Sequence, residues 1–254
     1  MKTTNYTAIA EKYDKNQYRV GEVKVDQDLQ AYIEKNKDQT EIHVLDLSCG
    51  TGLYLEKQTT FFKENKMKWY GLDLSEAMLK KAKEKVDHVE YTHGDAENMP
   101  FSSGKFDFIS NNYAFHHYKN KEKALNEMDR VLKKGGIYKM HNIAIHDMTK
   151  LWMYHYFPST YHEDLKRFWQ KDVIFNELTQ RGFQVEINID YKMEQIHVKD
   201  ILNFAENRDI SALTLIRDEE YQEGVEKMRF DLKNDPNKTI VNDFADMFCL
   251  ARKV

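Results

Sequence analysis

Between Ile42 and Ile145 the chain alternates short apolar runs with segments whose apolar residues return every three or four positions. Ile42–Leu47 is nearly continuous in apolar residues and predicts a buried strand, followed by an amphipathic segment over Leu53–Phe62. Trp69–Leu74 predicts a second strand. Ser75 is then a helix N-cap for Glu76–Val86, in which Met78, Ala82 and Val86 fall at i, i+4 and i+8. Val89–Thr92 and Phe106–Ser110 read as further strands. Lys121–Leu132 reads as a helix burying Ala124, Leu125, Met128, Val131 and Leu132. The pair Gly135-Gly136 is expected to end it, before a strand over Ile137–Ile145. Strands separated by helices imply right-handed βαβ units. The expected fold is therefore α/β, a doubly wound, mostly parallel sheet with helices on both faces.

From Thr149 the pattern changes. The stretch from Leu151 to Arg167 is rich in aromatics, Trp152, Tyr154, Tyr156, Phe157 and Tyr161, with Phe168 directly after it. Trp169–Arg181 reads as a helix stopped by Gly182, Phe183–Ile189 as an alternating strand, and Lys199–Asn207 and Asp218–Lys233 as helices. Asp235-Pro236-Asn237 makes a turn before a last strand over Thr239–Ala251. The organisation expected is an N-terminal helical segment (1–40), a core (41–148), and helical lid insertions with the last strands (149–254), all within one domain.

The most informative stretch is Val44-Leu45-Asp46-Leu47-Ser48-Cys49-Gly50-Thr51-Gly52. A strand runs into a tight turn with two glycines one residue apart, and then a helix starts. That geometry brings backbone N–H groups close to a ligand, and Gly50 and Gly52 supply the φ freedom and missing Cβ that it needs. Asp46 can accept a hydrogen bond from a ligand or brace the loop. A dinucleotide fingerprint would require a third glycine at the position of Leu55, and no lysine follows the glycines as in a phosphate loop. The loop therefore suits a nucleoside without a pyrophosphate. Asp73 ends the second strand about twenty residues on, where a carboxylate binds ribose hydroxyls. Asp95 follows the third.

These three acids and the glycine loop resemble class I S-adenosylmethionine-dependent methyltransferases, with Ser48 standing where the family's first glycine is expected. The resemblance implies a Rossmann-like sheet with an antiparallel C-terminal edge strand and a helical lid. By the same resemblance Asp46, Ser48, Cys49, Gly50 and Gly52 hold the methionine end, Asp73 the ribose, and Asp95 with the Ala96 N–H the adenine, flanked by Leu74 and Met78. Asn111 opens the loop Asn111-Asn112-Tyr113-Ala114-Phe115-His116-His117-Tyr118, which in the family faces the transferable methyl group. Its Phe-His-His form, the segment Glu127 to Gly136 (with Lys134 replacing a usual proline), and the N-terminal Asn5 to Asp14 resemble the small-molecule type 11, UbiE-like branch. There Tyr13 closes over the cofactor. Arg19 is a candidate partner for the methionine carboxylate by charge. The implied reaction is in-line methyl transfer from S-adenosylmethionine to a small-molecule acceptor, giving S-adenosylhomocysteine.

His116 and His117 are the only histidines beside this proposed reaction centre. As a general base one of them would take a proton from the acceptor. Adjacent residues point two ways, so at most one faces the ligand, and packing around the cofactor is the competing reading. No metal site is expected, because His116, His117, His141 and His146 have no ligand spacing.

Composition narrows the acceptor little. Of 254 residues, 41% are hydrophobic and 31% charged, with a net charge of −4. No basic surplus exists to neutralise a nucleic-acid backbone, and no apolar run approaches a membrane span. Met1–Lys15 is polar, unlike a signal peptide, and the two cysteines read as small buried residues. A cytoplasmic enzyme with a small, apolar or aromatic acceptor is expected. Basic Lys166, Arg167, Arg208 and Arg217 read by default as solvated surface. The rivals are a cofactor-binding protein without catalysis, a nicotinamide-dependent oxidoreductase and an RNA methyltransferase. The acceptor atom and oligomeric state are not legible.

Overall fold

The computed structural model describes residues 23–208 and 210–254. These divide into two compact units, one of residues 23–141, 175–187 and 249–254, the other of 142–174 and 188–248. The elements are α1 (Gln27–Lys35), β1 (Ile42–Leu47), α2 (Leu53–Phe61), β2 (Met67–Asp73), α3 (Glu76–Lys85), β3 (Glu90–His93), β4 (Phe106–Asn112), α4 (Lys121–Val131), β5 (Leu132–Ile143), α5 (Trp152–Tyr156), α6 (Ser159–Arg167), α7 (Lys171–Gln180), β6 (Phe183–His197), α8 (Val198–Asn207), α9 (Asp218–Asn234) and β7 (Thr239–Lys253). Among the described residues no helix is long and apolar enough to cross a membrane.

Seven strands hydrogen-bond in the order β3-β2-β1-β4-β5-β7-β6. The pairs β1/β2, β2/β3, β1/β4 and β4/β5 are parallel, and the antiparallel strands lie at the β7-β6 edge. The chain builds outward from β1 to β3, then returns to add β4 on the other flank of β1. That reversal makes the carboxyl ends of β1 and β4 the switch point where such sheets bind ligands.

The sequence explains the local structure of the first unit. β1 is buried at every position but one, as a central parallel strand covered on both faces should be. On one face Leu29, Tyr32, Val44, Leu55, Trp69, Phe108 and Ile137 form a continuous core. At α3 the Ser75 hydroxyl accepts from the Met78 N–H, with Glu76 in the first turn and Lys83 and Lys85 in the last, all favourable to the helix dipole. Gly135-Gly136 does not end a helix. α4 stops at Val131, and the glycines form an irregularity inside β5, between the rungs Phe106–Leu132 and Phe108–Ile137. A Cβ on Gly136 would lie 2.9 Å from the Lys133 carbonyl and 3.0 Å from that of Asp107, so only glycine fits.

The second unit has its own core. Tyr154, Tyr156, Phe157, Phe168, Ile201, Tyr221 and Met228 are buried, and Phe157 stacks on Tyr221 with centroids 6.0 Å apart. Gly224 lies so close to Phe157 that a Cβ would be 2.3 Å from its ring. The basic residues expected at the surface divide. Lys166 and Arg217 are exposed, whereas Arg208 donates to the carbonyls of Leu213 and Ile216 and covers the Tyr221 ring. Arg167 is buried at 3% exposure and pairs with Asp164, which also accepts from the Tyr154 hydroxyl. It was drawn inward because the adjacent carboxylate neutralises it.

Candidate functional site

The loop after β1 is organised by backbone. Ser48, Gly50 and Gly52 all have positive φ, at 63°, 53° and 80°. Cys49 N–H donates to the Leu72 carbonyl, which ties the loop to the end of β2, and Gly52 N–H donates to the Cys49 carbonyl. The two glycines do different jobs. A Cβ on Gly52 would be 3.0 Å from the Ala82 Cβ, so this glycine lets α2 start against α3. A Cβ on Gly50 would meet nothing within 4 Å, so that side of the loop is open. Cys49 is buried, and burial holds its thiol well above its ordinary pKa, so it is a packing residue.

Asp73 binds the loop from β2. Its carboxylate accepts from the Gly50 N–H and the Ser75 N–H, each at 2.8 Å. Burial raises its pKa, opposed by those two N–H groups and by His93. Asp46 is enclosed at 2% exposure, and burial, then repulsion from Asp73 and Asp26, pushes its pKa well above the usual carboxylate range. Asp26 caps α1 by accepting from the Asp28 and Leu29 N–H groups. It also accepts from the Tyr54 hydroxyl at 2.8 Å and from Lys139 at 2.7 Å. Lys139 reaches Asp28 as well. Burial pulls its pKa down, but the two carboxylates outweigh that and leave it raised.

At the end of β3, Asp95 is exposed and accepts from the Glu97 N–H, while Ala96 is buried. The two residues expected to flank an adenine differ. Leu74 is 66% exposed and available to a ligand, whereas Met78 is 1% exposed and packs inside α3's buried face.

The loop after β4 is organised by side chains. Asn111 is fully buried, and its Nδ2 donates to the Leu47 carbonyl and to the Tyr118 hydroxyl, each at 2.8 Å. The Tyr118 hydroxyl also meets Ser48 Oγ at 2.9 Å, joining the two loops. Ser48 thus accepts a left-handed backbone that glycine adopts more easily, and gains a hydrogen bond glycine lacks. His116 and His117 lie in a single 3-10 turn with ring centroids 3.9 Å apart. His116 is enclosed at 5% exposure and His117 is half-buried. Tyr113, at φ 50°, places its hydroxyl 3.0 Å from His141 Nε2. Tyr13 and Arg19 lie outside the described residues.

Sequence reasoning did not single out Asp26, Tyr54 or Lys139, named Tyr113 and Tyr118 only as members of their loop, and weighed His141 only as a metal ligand. One signal existed: Lys139, His141 and Asn142 are polar positions within the stretch Ile137–Ile145, whose other residues are apolar or aromatic. The residues present fit S-adenosylmethionine. Its cationic sulfonium and ammonium groups suit a cluster of buried carboxylates of which Lys139 compensates only part, and Gly50's open side is a cradle for close approach.

Residues 45–140 match the type 11 family described as methyltransferase domain. The chain thus contains a segment that matches a methyltransferase domain. It is similar to the ubiquinone/menaquinone biosynthesis C-methyltransferase UbiE of Campylobacter jejuni, 36% identical over 100 residues, 38% of this chain and 43% of that protein. It is also similar to the demethylmenaquinone methyltransferase of Staphylococcus haemolyticus, 38% identical over 99 residues, 37% of this chain and 40% of that protein. The matches thus span less than half the length of these relatives. A solved structure from Anabaena variabilis, described as a candidate methyltransferase of an antibiotic biosynthesis pathway, shares the fold with a TM-score of 0.67. Its identity is 22%, over 89% of this chain and 97% of that one.

Proposed function

We propose that the protein transfers the methyl group of S-adenosylmethionine to a small-molecule acceptor and releases S-adenosylhomocysteine. The observation that carries this reading is the convergence of Asp73 and the open face of Gly50 at the switch point between β1 and β4, with Asp46 buried beside them. Bound S-adenosylmethionine supplies a methyl carbon activated by a positive sulfur. Asp73 accepts from the ribose hydroxyls, Asp95 and the Ala96 N–H read the adenine edge, and exposed Leu74 covers its ring. Met78 packs within α3, the helix that follows Leu74. Ser48, Cys49, Gly50 and Gly52 shape the loop against the methionine end, and Asp46 supplies its negative field. Asn111 and Tyr118 tie the loop after β4 to the loop after β1, and His116 and His117 belong to that same β4 loop. Tyr13 and Arg19, outside the described residues, are assigned to the cofactor by resemblance and by charge alone. The residues' main task is alignment of acceptor, methyl and sulfur with exclusion of water.

The acceptor is small and apolar or aromatic, not a nucleic acid. The names of the Campylobacter and Staphylococcus relatives, both tied to quinone methylation, support that choice. The net charge of −4 supports it too. Calorimetric titration with S-adenosylhomocysteine tests the reading: saturable one-site heat is expected, and its absence removes the cofactor and the reaction together.

A further inference from the structure

Two half-buried residues at the carboxyl rim of β4 and β5, Tyr113 and His141, are joined twice. Tyr113 N–H donates to the His141 carbonyl at 2.7 Å, one residue beyond the last rung, Asn112–His141. Its hydroxyl lies 3.0 Å from His141 Nε2, with ring centroids 4.3 Å apart. Tyr113 does this from a left-handed backbone, a costly conformation for a bulky residue that persists only where neighbours hold it and that concentrates at functional sites.

We propose that the Tyr113 hydroxyl is the group that removes the proton from an acceptor hydroxyl, passing its own proton to His141. The inference rests on the methyl-transfer reading. Three observations favour it. The residues assigned to ribose and adenine belong to the ends of β2 and β3, so the reacting end of the cofactor points across β1 toward β4, and the rim of β4 and β5 is left for the acceptor. His116 is enclosed and His117 packs on it, whereas Tyr113 and His141 are both partly accessible. A tyrosine hydroxyl exchanges protons efficiently with a group of similar acidity, and a phenol or hydroquinone is such a group.

The step balances. The acceptor O–H proton moves to Tyr113 Oη as the Tyr113 proton moves to His141 Nε2, leaving an acceptor anion and an imidazolium. The anion, through oxygen or the adjacent ring carbon, forms a bond to the methyl carbon. The carbon–sulfur bond breaks with its electron pair going to sulfur, which loses its positive charge. Water then takes the imidazolium proton and, after carbon attack, the displaced ring proton. Tyr113 is the catalytic residue, and His141 acts through it as a positioning residue.

The test measures methyl transfer from labelled S-adenosylmethionine to 1,4-naphthohydroquinone, alongside calorimetry with S-adenosylhomocysteine on every variant. Tyr113→Phe keeps its S-adenosylhomocysteine affinity and loses about 100-fold in kcat, the scale of general acid–base catalysis. His141→Ala loses a similar factor and regains rate with added imidazole, which a purely structural defect would not do. Wild-type kcat in Tyr113→Phe, or no imidazole rescue of His141→Ala, overturns the proton pathway. A wild type that binds S-adenosylhomocysteine but leaves the hydroquinone unmethylated overturns Tyr113 as a group that takes a phenolic proton. A wild type that binds no S-adenosylhomocysteine removes the underlying methyl-transfer reading instead.

Discussion

The loops after β1 and β4 leave the sheet side by side, and each holds a non-glycine residue in the left-handed region, Ser48 and Tyr113. They are built in opposite ways. The first is fixed by main-chain hydrogen bonds and by what glycines leave out, with Asp73 clamping the Gly50 N–H. The second is fixed by side chains: Asn111, Tyr118, and Tyr113 against His141. A backbone cradle suits a ligand gripped in the same way in every turnover. A side-chain wall can be altered one residue at a time, which fits the proposal that acceptor choice and proton chemistry belong there.

The first way to break this comparison is at Asp73. Asp73→Ala removes the proposed ribose acceptor and frees the Gly50 and Ser75 N–H groups. With charge-assisted bonds worth ~1.5–3 kcal/mol each, S-adenosylhomocysteine binding should weaken by about 3 kcal/mol, read by calorimetry. Unchanged affinity would take Asp73 out of the site. Next is Gly52→Ala, where a Cβ meets Ala82 at 3.0 Å from a left-handed backbone. Left-handed strain and overpacking together predict about 2 kcal/mol lost in urea unfolding.

Asp46→Asn sharpens the contrast through its opposite signs. The folded pKa of Asp46 lies above its unfolded value of ~3.9, so the folded state holds this proton more tightly. By linkage, its contribution to stability is greatest at acid pH and falls as pH rises from the unfolded toward the folded pKa. At neutral pH Asp46→Asn should therefore stabilise the unliganded protein by about 1 kcal/mol. The same change should weaken S-adenosylmethionine about tenfold by removing the charge that meets its cationic groups. Parallel denaturation and titration measure both, and movement of both in one direction contradicts the assignment. Smallest of all is Ser48→Gly. Relief of left-handed strain and loss of the Tyr118 hydrogen bond offset each other to within ~1 kcal/mol, so midpoint and cofactor affinity should barely move.

The same contrast explains what could be read in advance. The glycine loop, Asp73 and the Ser75 cap follow from local rules of φ, spacing and capping, and they stand where those rules put them. The parallel sheet followed equally from alternating strand and helix patterns. The start of β5 was missed because Gly135-Gly136 serves both as a helix stop and as a strand irregularity, and only the approach of the Asp107 carbonyl distinguishes them. Strand β6 runs on to His197 through polar residues because many of its side chains are exposed, so period-2 burial could not mark its end. Arg167 is buried by pairing with a residue on its own helix, which charge counting cannot foresee. Tyr113 and His141, 28 positions apart, meet only because β4 and β5 are neighbours in register.

A crystal structure with S-adenosylhomocysteine bound tests the central claim most directly. The account predicts both ribose hydroxyls within hydrogen-bond distance of Asp73, the adenine over Leu74, and the sulfur directed toward the Asn111–Tyr118 loop. A nucleoside bound away from Asp73, or a sulfur directed away from that loop, would contradict it.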